Sequence, residues 1–404
     1  MTHPPQAPSE QTSTGGMGRV AVLALGVFAV GTGEFVLAGL LPMLVEAFEI
    51  SVAGAGQIVT VFALTCAVSA PVLTALTAVW RRRTVLVMAT VIYLLGAVGT
   101  ALAGSYGQIL AAQIVAAAGV GLFIPNASVT AATLVAPRLQ GRAIALVVTG
   151  FTAAVAFGAP IGTALGGLLD WRATMWFTAA LAVIGLVGVW VLVPEHLHVP
   201  SAGGLRAQLR PLGDRRVLLL LVTTLVAFTA VFVPYTYIGV IYAPATGGSG
   251  VALAVLMLTG GIAGAVGNLA AGFLTDRLGG ARVVTIALSW LTAGLLVVPL
   301  AVGHFGAALA VVGFYVVGAF AITTPQQHRL IGLRPDATPI VISLNQSVLY
   351  LAIAMSGLVG GAGIELLGSR YVSLVAAALA LLALGASLCA QRLMRPTSAS
   401  GAGV

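Results

Sequence analysis

Residues 18–42 read GRVAVLALGVFAVGTGEFVLAGLLP, one apolar run carrying a single acid, Glu34. A helix needs about 20 apolar residues to cross a hydrocarbon core of about 30 Å, so this run is long enough to span a membrane. At about 1.5 Å rise per residue, Glu34 lies about 21 Å in from Val20, past the midplane. A carboxylate at that depth costs a few kcal/mol unless it faces water, meets a partner or takes up a proton. An ionisable group so placed is a functional candidate by default, and the rest of the chain says what holds it.

The composition excludes a soluble protein. Of 404 residues, 59% are hydrophobic and 7% charged, where soluble domains carry about 25% charged residues. Twelve runs of comparable length follow one another: 19–42, 54–79, 84–104, 107–134, 142–169, 172–194, 217–241, 250–275, 281–302, 306–327, 338–365 and 371–391. The longest interval between them, 195–216, divides the chain into two sets of six. The expected organisation is a disordered N-terminus at 1–17, a six-helix bundle at 18–194, a linker at 195–216, a second six-helix bundle at 217–392 and a tail at 393–404. The first 17 residues have no basic segment followed by a short apolar core, so they are not read as a signal peptide.

All 18 basic residues are Arg, and only Arg172 and Arg370 fall on the side opposite the N-terminus. The positive-inside rule then puts both termini and the linker in the cytoplasm. The net charge of +8 is therefore a topology signal and predicts no nucleic-acid partner. Cys66 and Cys389 both sit in apolar runs with no paired spacing, so neither a disulfide nor a metal site is expected. His196 and His198, in the linker, read as a solvated pair. No phosphate-binding loop and no metalloprotease or triad arrangement is present, so neither ATP driving, nor enzymatic chemistry, nor a cofactor is expected.

The two halves repeat each other. Trp80-Arg81-Arg82-Arg83 after the second span matches Thr275–Arg282 after the eighth. Leu168-Leu169-Asp170-Trp171-Arg172 after the fifth matches Leu366-Leu367-Gly368-Ser369-Arg370 after the eleventh, and Pro125 matches Pro325. Parallel repeats related by an axis along the membrane normal are a transporter construction, with the substrate site near the midplane between them. An all-α membrane protein of twelve helices in two six-helix repeats is the predicted fold. Rings of charge or a filter loop would argue for a channel, and an appended soluble domain for a membrane sensor; neither pattern is found.

At these motifs the chain resembles the major facilitator superfamily, in its twelve-span drug:proton antiporter branch with the arabinose-efflux-permease-like proteins and chloramphenicol exporters. The resemblance runs from about Val20 to Arg392. The G-T-x-E-F-x-x-A-G-L-L-P signature stands at Gly31–Pro42. The G-x-L-x-D-R-x-G-x-R loop motif stands at Gly272–Arg282 with one extra spacer; in the first half Thr74 and Ala78 replace its Gly and Asp. The fifth span carries the antiporter motif as Gly150, Gly158, Pro160, Gly162 and Gly166. The fourth span departs from the family, with Gln113 where an Arg linked to proton movement is usual and Ala117 for the following Gly.

The resemblance implies export of small amphiphilic molecules, antibiotics among them, by alternating access in exchange for protons, from the bacterial inner membrane. A sugar, nucleoside or endogenous metabolite is the alternative cargo. The partners implied are a small-molecule substrate, protons and the bilayer, with a monomer expected. Glu34 is the proton-coupling candidate; its competing reading is a packing hydrogen bond to a neighbouring helix. Phe35, Gln113, Asn126, Tyr235, Tyr237, Asn268, Asn345 and Gln346 are candidates for a mostly apolar cavity with few polar anchors, or else ties between helices. Gly158, Pro160 and Gly162 are expected to give the fifth helix close packing and a bend. Arg142, Asp276, Arg277 and Arg282 are expected to latch neighbouring helices in one state and release them in the other.

Overall fold

The computed structural model describes residues 11–195, 197 and 210–394. Among them are twelve helices long and apolar enough to cross a membrane. They are α1 (Gly16–Phe48), α2 (Val52–Leu76), α3 (Arg82–Ala101), α4 (Tyr106–Thr133), α5 (Pro137–Leu168), α6 (Trp171–Leu192), α7 (Arg215–Thr236), α8 (Gly250–Leu278), α9 (Gly280–Ala301), α10 (Phe305–Leu333), α11 (Ile340–Leu367) and α12 (Val372–Leu393). No strand occurs among the described residues. Most of the linker, with His196 and His198, lies outside the described residues.

The breaks between spans are caps. Ser51, Ser105, Asp170 and Ser249 each accept a hydrogen bond from a backbone N–H of the first turn of α2, α4, α6 and α8. Each satisfies a donor that the helix itself leaves unpaired. These four caps lie at the end of the bundle away from the termini; Asp214 caps α7 at the opposite end. Gly279 joins α8 to α9 alone, at φ +80°, a conformation that suits a residue without Cβ.

Helical backbone extends from α1 back to Gln11. Two expectations about span ends need correction. The seventh helix ends at Thr236, and two single turns, Ile238–Ile241 and Ala243–Thr246, carry the chain onward. The tenth helix is interrupted at 321–322. Pro325 has no N–H for the carbonyl four residues back, and its ring crowds that turn.

Helix pairings in the first half recur in the second. In the first half α3 packs on α4 and α6, α2 on α4, and α1 on α5 and α6. Correspondingly, α9 packs on α10 and α12, α8 on α10, and α7 on α11 and α12. The halves meet chiefly through α2 with α11 and α5 with α8.

Those two seams are closed at one end only. Gly167 and Gly250 lie backbone to backbone: a Cβ on Gly167 would fall 2.6 Å from the Gly250 Cα. Gly261 abuts the Ala156 backbone, and Gly361 abuts Ala53. Thr60 donates to the Ala354 carbonyl at 3.1 Å across the α2–α11 seam. All these contacts lie in the half of the bundle away from the termini. At the other end the apolar core divides. Val217, Leu220, Leu221, Leu330, Val341 and Ala390, all of the second half, form a cluster of their own, separate from the main core that runs through both halves. The two bundles are thus joined at the far end and parted at the end that carries the termini.

Candidate functional site

Glu34 sits on α1 where the seams begin to part, and it is 7% exposed. Tyr350 of α11, itself buried, donates its hydroxyl to Glu34 Oε2 at 3.4 Å. Glu34 Oε1 has no hydrogen-bond partner among the described residues. The acid of the first half is thus held by a residue of the second, with one oxygen still open to a proton or a donor. Gly33 is required beside it, because the Tyr93 hydroxyl lies directly against the Gly33 Cα and leaves no room for a Cβ.

An aromatic cluster flanks the acid. Phe35 meets Phe151 of α5 and Tyr235 of α7 edge-on, at 5.2 and 5.9 Å between ring centres, and stacks with Phe232 of α7 at 6.5 Å. Phe232 also contacts Tyr235 and Phe228. The Tyr235 hydroxyl donates to the Phe35 carbonyl at 3.4 Å, a further hydrogen bond between the halves beside the acid. Edge-to-face pairs of this kind add about 0.5–1.5 kcal/mol beyond area burial. Gln346, half-buried on α11, is one turn from Tyr350 and shares its face.

Other polar candidates tie helices together within one half. Gln113 donates to Thr100 Oγ1 at 3.0 Å, joining α4 to α3. Asn126 accepts from Arg82 at 2.7 Å and donates to the Leu122 carbonyl and to Thr74. Asn268 accepts from Thr324 at 2.8 Å, and Asn345 from Thr224 at 3.0 Å. Gln326 donates to that same Thr224 and to the Leu220 carbonyl, extending the network to α10. Tyr237 is fully buried and donates to the Gly357 carbonyl at 2.6 Å, within the closed end. A polar residue in an apolar span satisfies itself on the nearest helix, because leaving it unpaired in lipid is costly.

The fifth helix carries a device the spacing did not reveal. Residues Ala154–Gly158 form a π turn, in which the Ala159 N–H reaches back to the Ala154 carbonyl. Pro160 follows at once, and the widened turn accommodates the N–H it lacks. Gly150, Gly158, Gly162 and Gly166 pack against Ala24, Thr32, Val36 and Leu40 of α1. These four glycines therefore face the helix that carries Glu34, while Ala156, Thr163 and Gly167 of α5 face α8.

At the parted end, Arg142, Asp276, Arg277 and Arg282 are all exposed. Among the described residues the ion pairs are Arg83 with Glu195 and Arg172 with Asp170, so none of these four is paired. Sequence reasoning also missed Tyr350, Phe151 and Phe232. Each is an aromatic residue in an apolar span, where nothing local distinguishes a cavity wall from core; only their convergence on Glu34 does.

Two six-helix repeats closed at one end, parted at the other and bridged at mid-depth by a buried acid have the architecture of a membrane transporter built from parallel repeats. The chain belongs to the Major Facilitator Superfamily, whose family model matches residues 23–328. It is a multi-pass protein of the bacterial inner membrane. It is 31% identical over 366 residues to the inner membrane transport protein YdhP of Escherichia coli K12, covering 90% of this chain and 93% of that one. It is 32% identical over 259 residues to a chloramphenicol resistance protein of Streptomyces lividans, covering 63% and 66% of the two chains. Its fold is similar to the crystal structure of the nucleoside transporter NupG, with a TM-score of 0.76 at 14% identity over 93% of this chain and 99% of that one.

Proposed function

We propose that this transporter exports small amphiphilic molecules, antibiotics among them, in exchange for protons, with Glu34 as the coupling acid. The observation that carries the reading is the Glu34–Tyr350 hydrogen bond, made across the halves at the depth where they part. A proton on Glu34 changes what that bond is worth, because a charged acceptor holds its donor about twice as strongly as a neutral one. Protonation is thereby linked to the association of α1 with α11. One proton moving down 100 mV supplies about 2.3 kcal/mol, comparable to such a change.

The excess of arginine on the terminus-bearing side supports cytoplasmic termini; on that reading the parted end is the cytoplasmic one and this state faces inward. Substrate enters there and meets the aromatic cluster around Phe35. Rings of Phe151, Phe232 and Tyr235 offer apolar faces, and the acid offers one polar anchor, a lining suited to amphiphilic cargo. The chloramphenicol resistance relative supports the antibiotic reading. In the opposite state the terminus-bearing end closes, and Asp276, Arg277, Arg282 and Arg142 come within reach of neighbouring helices.

The test is transport of a labelled panel, chloramphenicol, lipophilic dyes, nucleosides and sugars, into inverted membrane vesicles under an imposed pH gradient. Gradient-driven uptake of the amphiphiles, lost in Glu34→Gln at equal expression, is the expected result. Uptake of nucleosides or sugars alone would replace the cargo, and uptake indifferent to the gradient would remove the proton.

A further inference from the structure

The repeats close α5 and α11 with matching arginines. Arg172 donates to the Ala103 carbonyl at 3.1 Å, and Arg370 to the Pro299 carbonyl at 3.1 Å. Each ends the hairpin before it in the same way, and each lies near the aromatic ring adjoining it in sequence, Trp171 or Tyr371. Their charge surroundings differ. Asp170 lies 3.9 Å from Arg172 and offsets its charge. The matching position is Gly368, and among the described residues Arg370 has no ion pair.

That unbalanced guanidinium borders a cavity of about 310 Å³ at the end away from the termini. His304 and Ser369 line it as well, and among the described residues neither side chain makes a hydrogen bond. Pro299, Leu300 and Val302 supply apolar wall, and no acid lines it; Glu365, one turn back on α11, is outside the lining. Leu300 in that wall is 76% exposed, and Tyr371, whose ring lies 5.7 Å from the Arg370 guanidinium, is exposed as well, an apolar and aromatic pair of the kind found at the hydrocarbon boundary. The cavity thus pairs one uncompensated cation and two idle hydrogen-bonding groups with a lipid-facing wall.

We propose that this cavity binds a phosphate-bearing anion, the phosphodiester head group of a membrane lipid. The Arg370 guanidinium takes the phosphate oxygens, with the His304 imidazole and the Ser369 hydroxyl completing the cradle. Guanidinium is the side chain best shaped for phosphate. Leu300 and Tyr371 leave the acyl chains on the bilayer side. The first repeat, with Asp170 already on Arg172, binds no such ligand.

The test uses the purified full chain, dioleoyl phosphatidylglycerol and native mass spectrometry. Wild type retains the lipid. Arg370→Gln and the double variant His304→Ala/Ser369→Ala each retain about tenfold less, and Arg172→Gln retains as much as wild type. The double variant alters only exposed or half-buried loop side chains, so it stays informative if Arg370→Gln fails to fold. Undiminished retention in the foldable variants, or equal loss in Arg172→Gln, overturns the site. A parallel titration with inorganic phosphate separates the sources. Saturable phosphate binding that depends on Arg370, with lipid retention indifferent to it, overturns the lipid assignment in favour of a soluble anion.

Discussion

Tyr350 and Glu34 belong to different six-helix repeats, and the hydrogen bond of 3.4 Å between their side chains joins the halves at mid-membrane. Around them the seams change character. Toward the far end, α2 meets α11 and α5 meets α8 through glycine and alanine backbones; toward the termini the core splits in two. Whatever alters this bond therefore acts at the fulcrum of the two bundles.

Tyr350→Phe removes the hydroxyl and leaves ring packing in place. A buried acceptor that loses its donor costs about 1–3 kcal/mol. Gradient-driven transport is expected to fall about tenfold in proteoliposomes, while substrate exchange without a gradient is retained. Equal loss of both activities would make Tyr350 a packing residue only.

Much of this architecture is legible in the sequence because bilayer physics leaves few choices. A span must be a helix, since every backbone group has to bond internally; the twelve helices and the repeat follow from run length and from anchors such as Pro125 and Pro325. Glu34 is equally visible, being the one acid deep in a span. Its partner is not. Tyr350 looks like any aromatic residue on an apolar helix, and only the packing of α11 against the first half reveals it. Gln113 and Asn345 show the converse. Polarity marks them in the sequence, yet each is satisfied by a threonine of its own half.

Gly33 tests how tightly the acid is positioned. The Tyr93 hydroxyl occupies the space a Cβ would need. Overpacking of this kind costs about 1–3 kcal/mol. Gly33→Ala is expected to lower the melting temperature and the transport rate together. Adding Tyr93→Phe removes the worst clash, leaving the ring carbon at 2.9 Å, and restores part of the loss. No rescue in the double variant would place the strain elsewhere.

The closed end can be locked. A Cβ on Gly361 would lie 3.0 Å from the Ala53 Cβ, slightly inside the usual 3.5–4.5 Å span of a disulfide. Ala53→Cys/Gly361→Cys, with the exposed Cys389 replaced by Ser, is expected to cross-link on mild oxidation without substrate. Transport then stops, and reduction restores it. A cross-linked protein that still turns over would show that this seam need not open.

The same cross-link measures the latch proposed for the opposite end. Asp276 is exposed and unpaired in the present state, so Asp276→Asn should change the stability of this state by less than about 0.5 kcal/mol. If Asp276 engages a neighbouring helix only when the terminus-bearing end closes, removing its charge destabilises that other state alone. The equilibrium then moves toward the state described here, in which residues 53 and 361 are adjacent. Disulfide formation in the Ala53→Cys/Gly361→Cys background is therefore expected to quicken, and transport to slow, because the cycle now lingers on one side. An unchanged cross-linking rate would mean that the charge contributes to topology and not to the conformational balance.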